Sequence, residues 1–224
     1  MTQIVLFGGG VWQTAAAAIA GGLTTAVVVY LLSRRDRVSG GTRLVLVGIG
    51  VGSALSALTS LLMVRASMDN ASVAQLWTSG SLTGRGWPYV LALAVGILLI
   101  VPALAVISRS VSYLEMGDDA AQSLGIPAER MRLIAMMLAV MLAAIAVAAA
   151  GPIAFIAFAA PHIARRIRPS TGVQLGVSAL TGALLLVLAD LLSANLDVGL
   201  RTPAGLVTSL LGGVYLLWLL ARRI

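Results

Sequence analysis

Seven apolar runs, separated by shorter polar stretches, organise the 224-residue sequence. A bilayer core about 30 Å thick needs about 20 residues of helix. Val11–Leu32, Leu44–Val64, Trp87–Ser108, Leu133–Ala150, Leu175–Ala194 and Pro203–Ala221 match that length. Pro152–Ala164 is equally apolar but short, so a tilted, broken or half-buried helix is expected there. Residues 1–10 are too short to span and end in three glycines. They lack the basic segment that opens a signal peptide. The pattern predicts an all-α integral membrane protein, one multi-helix bundle over residues 1–224 with about seven membrane segments including the short one.

Composition agrees. Hydrophobic residues make up 59% of the chain and charged residues 10%, against roughly 25% charged in a soluble domain. A soluble fold could not cover its surface with so few charges. The net charge is +7, which in a soluble protein would suggest nucleic acid. In lipid it raises instead the question of which side the cations face, and no nucleic-acid partner is expected. All 15 basic residues are Arg. The absence of Lys excludes a GxxxxGK[ST] phosphate loop, so ATP hydrolysis by that route cannot reside on this chain. The absence of Cys excludes disulfides and thiolate metal sites. His162 is the only His, too few ligands for a protein metal site. No metal and no cofactor is expected.

The arginines alternate between loops. Arg34, Arg35, Arg37 and Arg43, then Arg109, Arg130 and Arg132, then Arg165, Arg166 and Arg168, then Arg222 and Arg223 fall on one side if the short segment crosses. Arg65, Arg85 and Arg201 fall on the other. The positive-inside rule puts the larger set in the cytoplasm. The N-terminus is then outside, which leads us to expect upstream helices on this or another chain. Gly48, Gly50 and Gly52 lie inside a span, where close helix packing is the expected reading. Asp190 is the one acid within a span. Loop pairing or capping near the outer end is expected of it, with a translocation role as the alternative.

Two hydrophilic stretches are more than connectors. In 65–86, Ala71–Trp77 could form a short helix capped by Asn70. In 109–132, Asp118 or Asp119 can cap a short helix, DDAAQSL, which Gly125 ends with Pro127 shortly after. Leu124 is then an apolar residue on a polar loop with no lipid to cover it.

The segment MGDDAAQSLGIPAERMR, followed by a span and then AGPIAFIAFAAPHIARRI, resembles the permease subunits of iron–siderophore and cobalamin ABC importers. Leu76–Leu82 (LWTSGSL), Ala189-Asp190 and Pro203–Gly212 (PAGLVTSLLG) match further motifs of that family. Ala157 departs from it, standing where a Gly is usual. The resemblance runs from about residue 44 to the C-terminus. It implies a single transmembrane permease domain, with about three further spans upstream in the family pattern.

It also implies roles for particular residues. Gly117, Asp118, Asp119, Ala121, Leu124 and Gly125 would form the helix that couples to a separate ABC ATPase subunit. Arg201, with Arg85 and Arg65, would dock an extracytoplasmic substrate-binding protein. Ser53, Ser56, Thr59 and Ser60, with Thr208 and Ser209, would line the pathway; read from the residues alone, bonding between helices is the first expectation for them. A second permease subunit, identical or not, would complete the channel. The expected function is ATP-driven uptake of a ferric siderophore or related metal chelate across the bacterial cytoplasmic membrane, by alternating access, with no enzyme activity on this chain. A secondary transporter is the alternative, but it would be expected to carry paired intramembrane charges. An intramembrane serine protease would need a Ser and a His at matching depth, and His162 sits at the cytoplasmic edge beside Arg165.

Overall fold

The computed structural model describes residues 11–33, 42–65, 74–75, 77–169, 172–195 and 203–221. Among these there are eight helices of six residues or more and no strand. They are α1 (Val11–Ser33), α2 (Thr42–Arg65), α3 (Trp87–Leu114), α4 (Asp118–Ser123), α5 (Ala128–Ala150), α6 (Ile156–Ile167), α7 (Leu175–Asn195) and α8 (Ala204–Ala221). Five contain an apolar stretch long enough to cross a membrane: α1, α2, α3, α5 and α7. In α8 the apolar stretch described is Ala204–Leu217, and α6 has 12 residues. Large side chains such as Leu98, Leu99, Val106, Leu180 and Leu210 point outward. That is the arrangement expected where lipid, not water, is the solvent.

The boundaries differ from the sequence expectation in three places, one of them the start of α5, which lies at Ala128 rather than Leu133. The polar RSVSYL stretch does not leave the third span as loop; α3 continues through it to Leu114. Within it Ser112 bonds back to the helix, its Oγ donating to Ser108 O at 2.9 Å. The short apolar segment also shifts. Gly151 through Phe155 is not helical, and α6 runs from Ile156 to Ile167.

The chain forms two compact units. The first comprises Met1–Gln75 and Trp87–Ala149. Within it, Gly22 of α1 and Gly96 of α3 both receive α5. A methyl group on Gly22 would lie 3.3 Å from Ala144 Cβ, and one on Gly96 would lie 2.6 Å from Ile145 Cδ1. Small residues let these helices approach. An apolar cavity of about 350 Å³ remains between the same helices, lined by Ile19, Tyr89, Leu99, Met141 and Ile145 among others. The glycines of α2 behave differently. A methyl group on Gly48, Gly50 or Gly52 would meet nothing within 4 Å, so the packing expected of them is not made among the described residues.

The second unit comprises Leu76–Gly86 and Ala150–Ile224. Here α6 packs on α7 and α8. The buried Thr181 of α7 joins two of them: its hydroxyl lies 2.6 Å from Val177 O in its own helix and 3.3 Å from Ala160 O in α6. Asp190 lies inside α7 rather than at its end, half-buried, so it is not a cap.

Candidate coupling and pathway sites

The expected coupling segment is a rigid short helix between two glycine turns. Gly117 has φ +106° and Gly125 has φ +77°. Both values are costly for a residue with a Cβ, which is why helix α4 starts and stops where it does. Gly125 N donates to Gln122 O at 2.9 Å and Ile126 N to Ala121 O at 3.0 Å, closing the C-terminal turn. Ala121 is fully buried and anchors one face. On the other, Leu124 is 60% exposed and Met116, just before the helix, 71% exposed. Two large apolar side chains thus project beside a six-residue polar helix.

One expectation is corrected here. Neither Asp118 nor Asp119 caps the helix; the N-cap is Gly117, without a side-chain cap bond. The Asp118 carboxylate is engaged elsewhere. It accepts from Arg132 on α5, with Nη2 to Oδ1 at 2.7 Å. Both partners are about a third exposed, so the pair contributes roughly 0–1 kcal/mol, and its value is chiefly geometric. One turn earlier on α5, Glu129 Oε1 accepts from the Tyr30 hydroxyl of α1 at 3.2 Å. Sequence reasoning used Arg132 only as one of the loop charges and passed over Glu129 and Tyr30. No local pattern marks them, because their partners are distant in sequence.

In the second unit, three backbone segments meet at near-contact distance. Gly205 N, at the start of α8, donates to Gly80 O at 3.0 Å, and Ser81 N donates to Ala150 O at 2.8 Å. A side chain at Gly205 would strike Ser79 O, and one at Gly151 would lie 2.5 Å from Trp77 O. The LWTSGSL, AGPIAF and PAGLVTS motifs therefore touch through their glycines. Beside this junction, Phe155 adopts φ +76°, the one non-glycine among the described residues with positive φ. Such a conformation costs about 1–3 kcal/mol. Its ring fills the space a side chain at Gly212 would need, and it meets Tyr215 edge-on at 5.9 Å. Phe155 and Tyr215 also line an apolar cavity of about 220 Å³ together with the buried Thr208. Phe158 stacks on His162 at 4.7 Å.

The candidate pathway residues are spread over two helices. On α2, Ser53, Ser56 and Ser60 are exposed and Thr59 is half-buried. Thr59 donates to Leu55 O at 2.9 Å and Ser60 to Ser56 O at 3.1 Å, so these hydroxyls bond within the helix. On α8, Thr208 and Ser209 both donate to Gly205 O, at 2.9 and 2.8 Å. A hydroxyl satisfied by its own helix adds little polarity to whatever surface it faces. Of the candidate docking arginines, Arg65 is exposed at the end of α2. Arg85 is half-buried, its Nε donating to Ser81 O at 3.4 Å. Arg201 lies outside the described residues, as does most of the expected Asn70-capped helix. Among the described residues no group of three or more His, Asp or Glu could hold a metal ion.

Membrane-length helices in both units, a short exposed helix between α3 and α5 in the chain, and glycine-lined backbone contacts in the second unit mark a multi-pass membrane protein of the transporter permease class. The chain matches the FecCD transport family over residues 1–222 and belongs to it. It is 44% identical over 223 residues to the ferric enterobactin transport system permease protein FepG of Escherichia coli (strain K12), covering 100% of this chain and 67% of that protein. It is 36% identical over 206 residues to the iron(3+)-hydroxamate import system permease protein FhuG of Bacillus subtilis (strain 168), covering 92% of this chain and 61% of that one. Among solved structures it resembles an inward-facing conformation of a transporter described as of the metal-chelate ABC type. There the TM-score is 0.87 at 25% identity, over 100% of this chain and 71% of that chain. The chain thus spans between three fifths and about two thirds of the two relatives it matches in sequence.

Proposed function

We propose that this chain is a transmembrane permease domain of an ABC importer that takes up ferric siderophores or a related metal chelate by ATP-driven alternating access. The observation that carries the reading is α4 itself. In a chain of the FecCD family, a stiff helix held between two membrane-length helices presents Leu124 to the exterior of the protein. An exposed apolar side chain beside polar neighbours is suited to a protein partner. An ABC ATPase subunit would grip Gly117–Gly125 there, and its nucleotide cycle would move α4. The relatives' names, which include ferric enterobactin and iron(3+)-hydroxamate, support an iron chelate as cargo.

The remaining parts follow from the same reading. The chain sits in the bacterial cytoplasmic membrane with its Arg-rich loops inside. A binding protein delivers the chelate at the outer face, where Arg201, Arg85 and Arg65 offer positive charge. Exposed charges of this kind mainly speed encounter and set orientation. Ser53, Ser56, Thr59, Ser60, Thr208 and Ser209 contribute to a pathway shared with a second permease subunit. The chelate supplies its own ligands to iron, so the permease needs none.

The test is reconstitution of the whole permease with its ATPase and binding protein in liposomes. ATP-dependent accumulation of a ⁵⁵Fe-siderophore is expected, and no accumulation of the desferri ligand's unrelated competitors. Accumulation driven equally well by an ion gradient without ATP would overturn the reading in favour of a secondary transporter.

A further inference from the structure

The first unit contains a polar ladder that links three helices. Asp118 opens α4 and pairs with Arg132 on α5 at 2.7 Å. Glu129 stands three residues before Arg132 on the same helix, so the two are neighbours on one face. Glu129 in turn accepts from Tyr30 near the C-terminal end of α1 at 3.2 Å. The ladder therefore runs α4, α5, α1.

Its placement matters because α4, anchored by the buried Ala121, joins the rest of the chain through two glycine turns. The left-handed glycines at 117 and 125 have open space around them, with nothing within 4 Å of a Cβ at either. A six-residue helix between two such points could swivel under load. The Asp118–Arg132 pair spans the second turn and Pro127, closing the segment 118–132 into a ring. Inside that ring Ala121 and Ala128 are buried, and Met131 N donates to Pro127 O at 3.0 Å. The ring is a rigid block, and Tyr30 ties it to α1.

We infer that Arg132 and Tyr30 are positioning residues that make α4, the start of α5 and the end of α1 one lever. A push on Leu124 then displaces α1 together with α5, rather than merely tilting α4 about its glycines. This rests on the importer reading for its purpose, but the mechanical linkage itself does not.

The experiment uses the full transporter in liposomes and exploits the absence of Cys. Spin labels at Gln122→Cys and Leu31→Cys, both on exposed positions, report the distance between α4 and α1. A narrow distribution is expected in the parent. Broadening is expected with Arg132→Ala and with Tyr30→Phe, and narrowing again in the charge swap Asp118→Arg with Arg132→Asp. In the same liposomes, iron taken up per ATP hydrolysed should fall in Arg132→Ala, by up to about fivefold, the upper end of what loss of one exposed ion pair can produce. ATP hydrolysis itself should stay within about twofold, and the swap should recover most of the ratio. An unchanged distribution in both single variants, or a swap that recovers neither distance nor ratio, would overturn the inference. If Arg132→Ala fails to insert, Tyr30→Phe and the swap decide it. If the parent shows no ATP-coupled uptake, the importer reading fails while the distances still judge the lever.

Discussion

The amide of Gly205 donates a 3.0 Å hydrogen bond to the carbonyl of Gly80, and no side chain could stand between them. This contact fixes the start of α8 against the loop that carries LWTSGSL. A methyl group at 205 would collide with the Ser79 carbonyl, which is backbone and cannot rotate away. Gly205→Ala should therefore lower stability by about 1–3 kcal/mol, as overpacking does. Gly213→Ala is the control, since a methyl there meets nothing within 4 Å; it should change stability by no more than about 0.5 kcal/mol. Thermal unfolding in detergent, followed by circular dichroism, separates the two. Equal midpoints would show that the junction is not tight.

Phe155 and Gly212 should be coupled energetically. The ring occupies the niche left by the missing side chain. Gly212→Ala alone should destabilise by displacing the ring, and Phe155→Ala alone by emptying the niche beside the 220 Å³ cavity. Together they should cost less than their sum, with an interaction of about 0.5–3 kcal/mol. A double-mutant cycle on the same unfolding assay measures it. Simple additivity would mean that the ring does not rest on Gly212.

Leu124 and Gly125 should separate folding from coupling. Leu124 is exposed, so Leu124→Asp should insert and fold normally. Its uptake should nevertheless drop at least about tenfold, the loss expected when a central apolar contact with a partner is removed. Gly125→Val has room for its side chain but not a comfortable φ, and should cost about 1–2 kcal/mol locally. ATP hydrolysis in the reconstituted transporter should persist in both while uptake falls. Unimpaired uptake in both would remove α4 from the ATPase interface.

The membrane orientation can be checked on the same Cys-free background. A single Cys at position 79 should react with an impermeant maleimide added outside intact cells. One at position 120 should react only after the cells are opened. The expectation comes from the Arg asymmetry between loops, and the opposite labelling would invert the topology.

Much of this architecture was legible in the chain itself. Span length, the Arg distribution and the glycine turn after DDAAQS are local properties, readable in windows of about 20 residues. They placed α1, α2, α7, α8 and the short α4 within a few residues of their observed limits, together with the C-terminal end of α5. Gly125 could be read as the end of the helix because glycine is favoured just past a last helical turn, and it takes φ +77° there. What the sequence could not decide was which distant groups meet. Asp118 looked like a helix cap because capping is the nearest use for an acid at that position. Tertiary packing instead brought Arg132 within 2.7 Å, while Gly117 takes the cap position and leaves Asp118 inside the first turn. The Gly205–Gly80 bond and the Phe155–Gly212 niche were invisible for a related reason. They depend on backbone approaches between segments far apart in the chain, and apolar periodicity carries no record of steric fit.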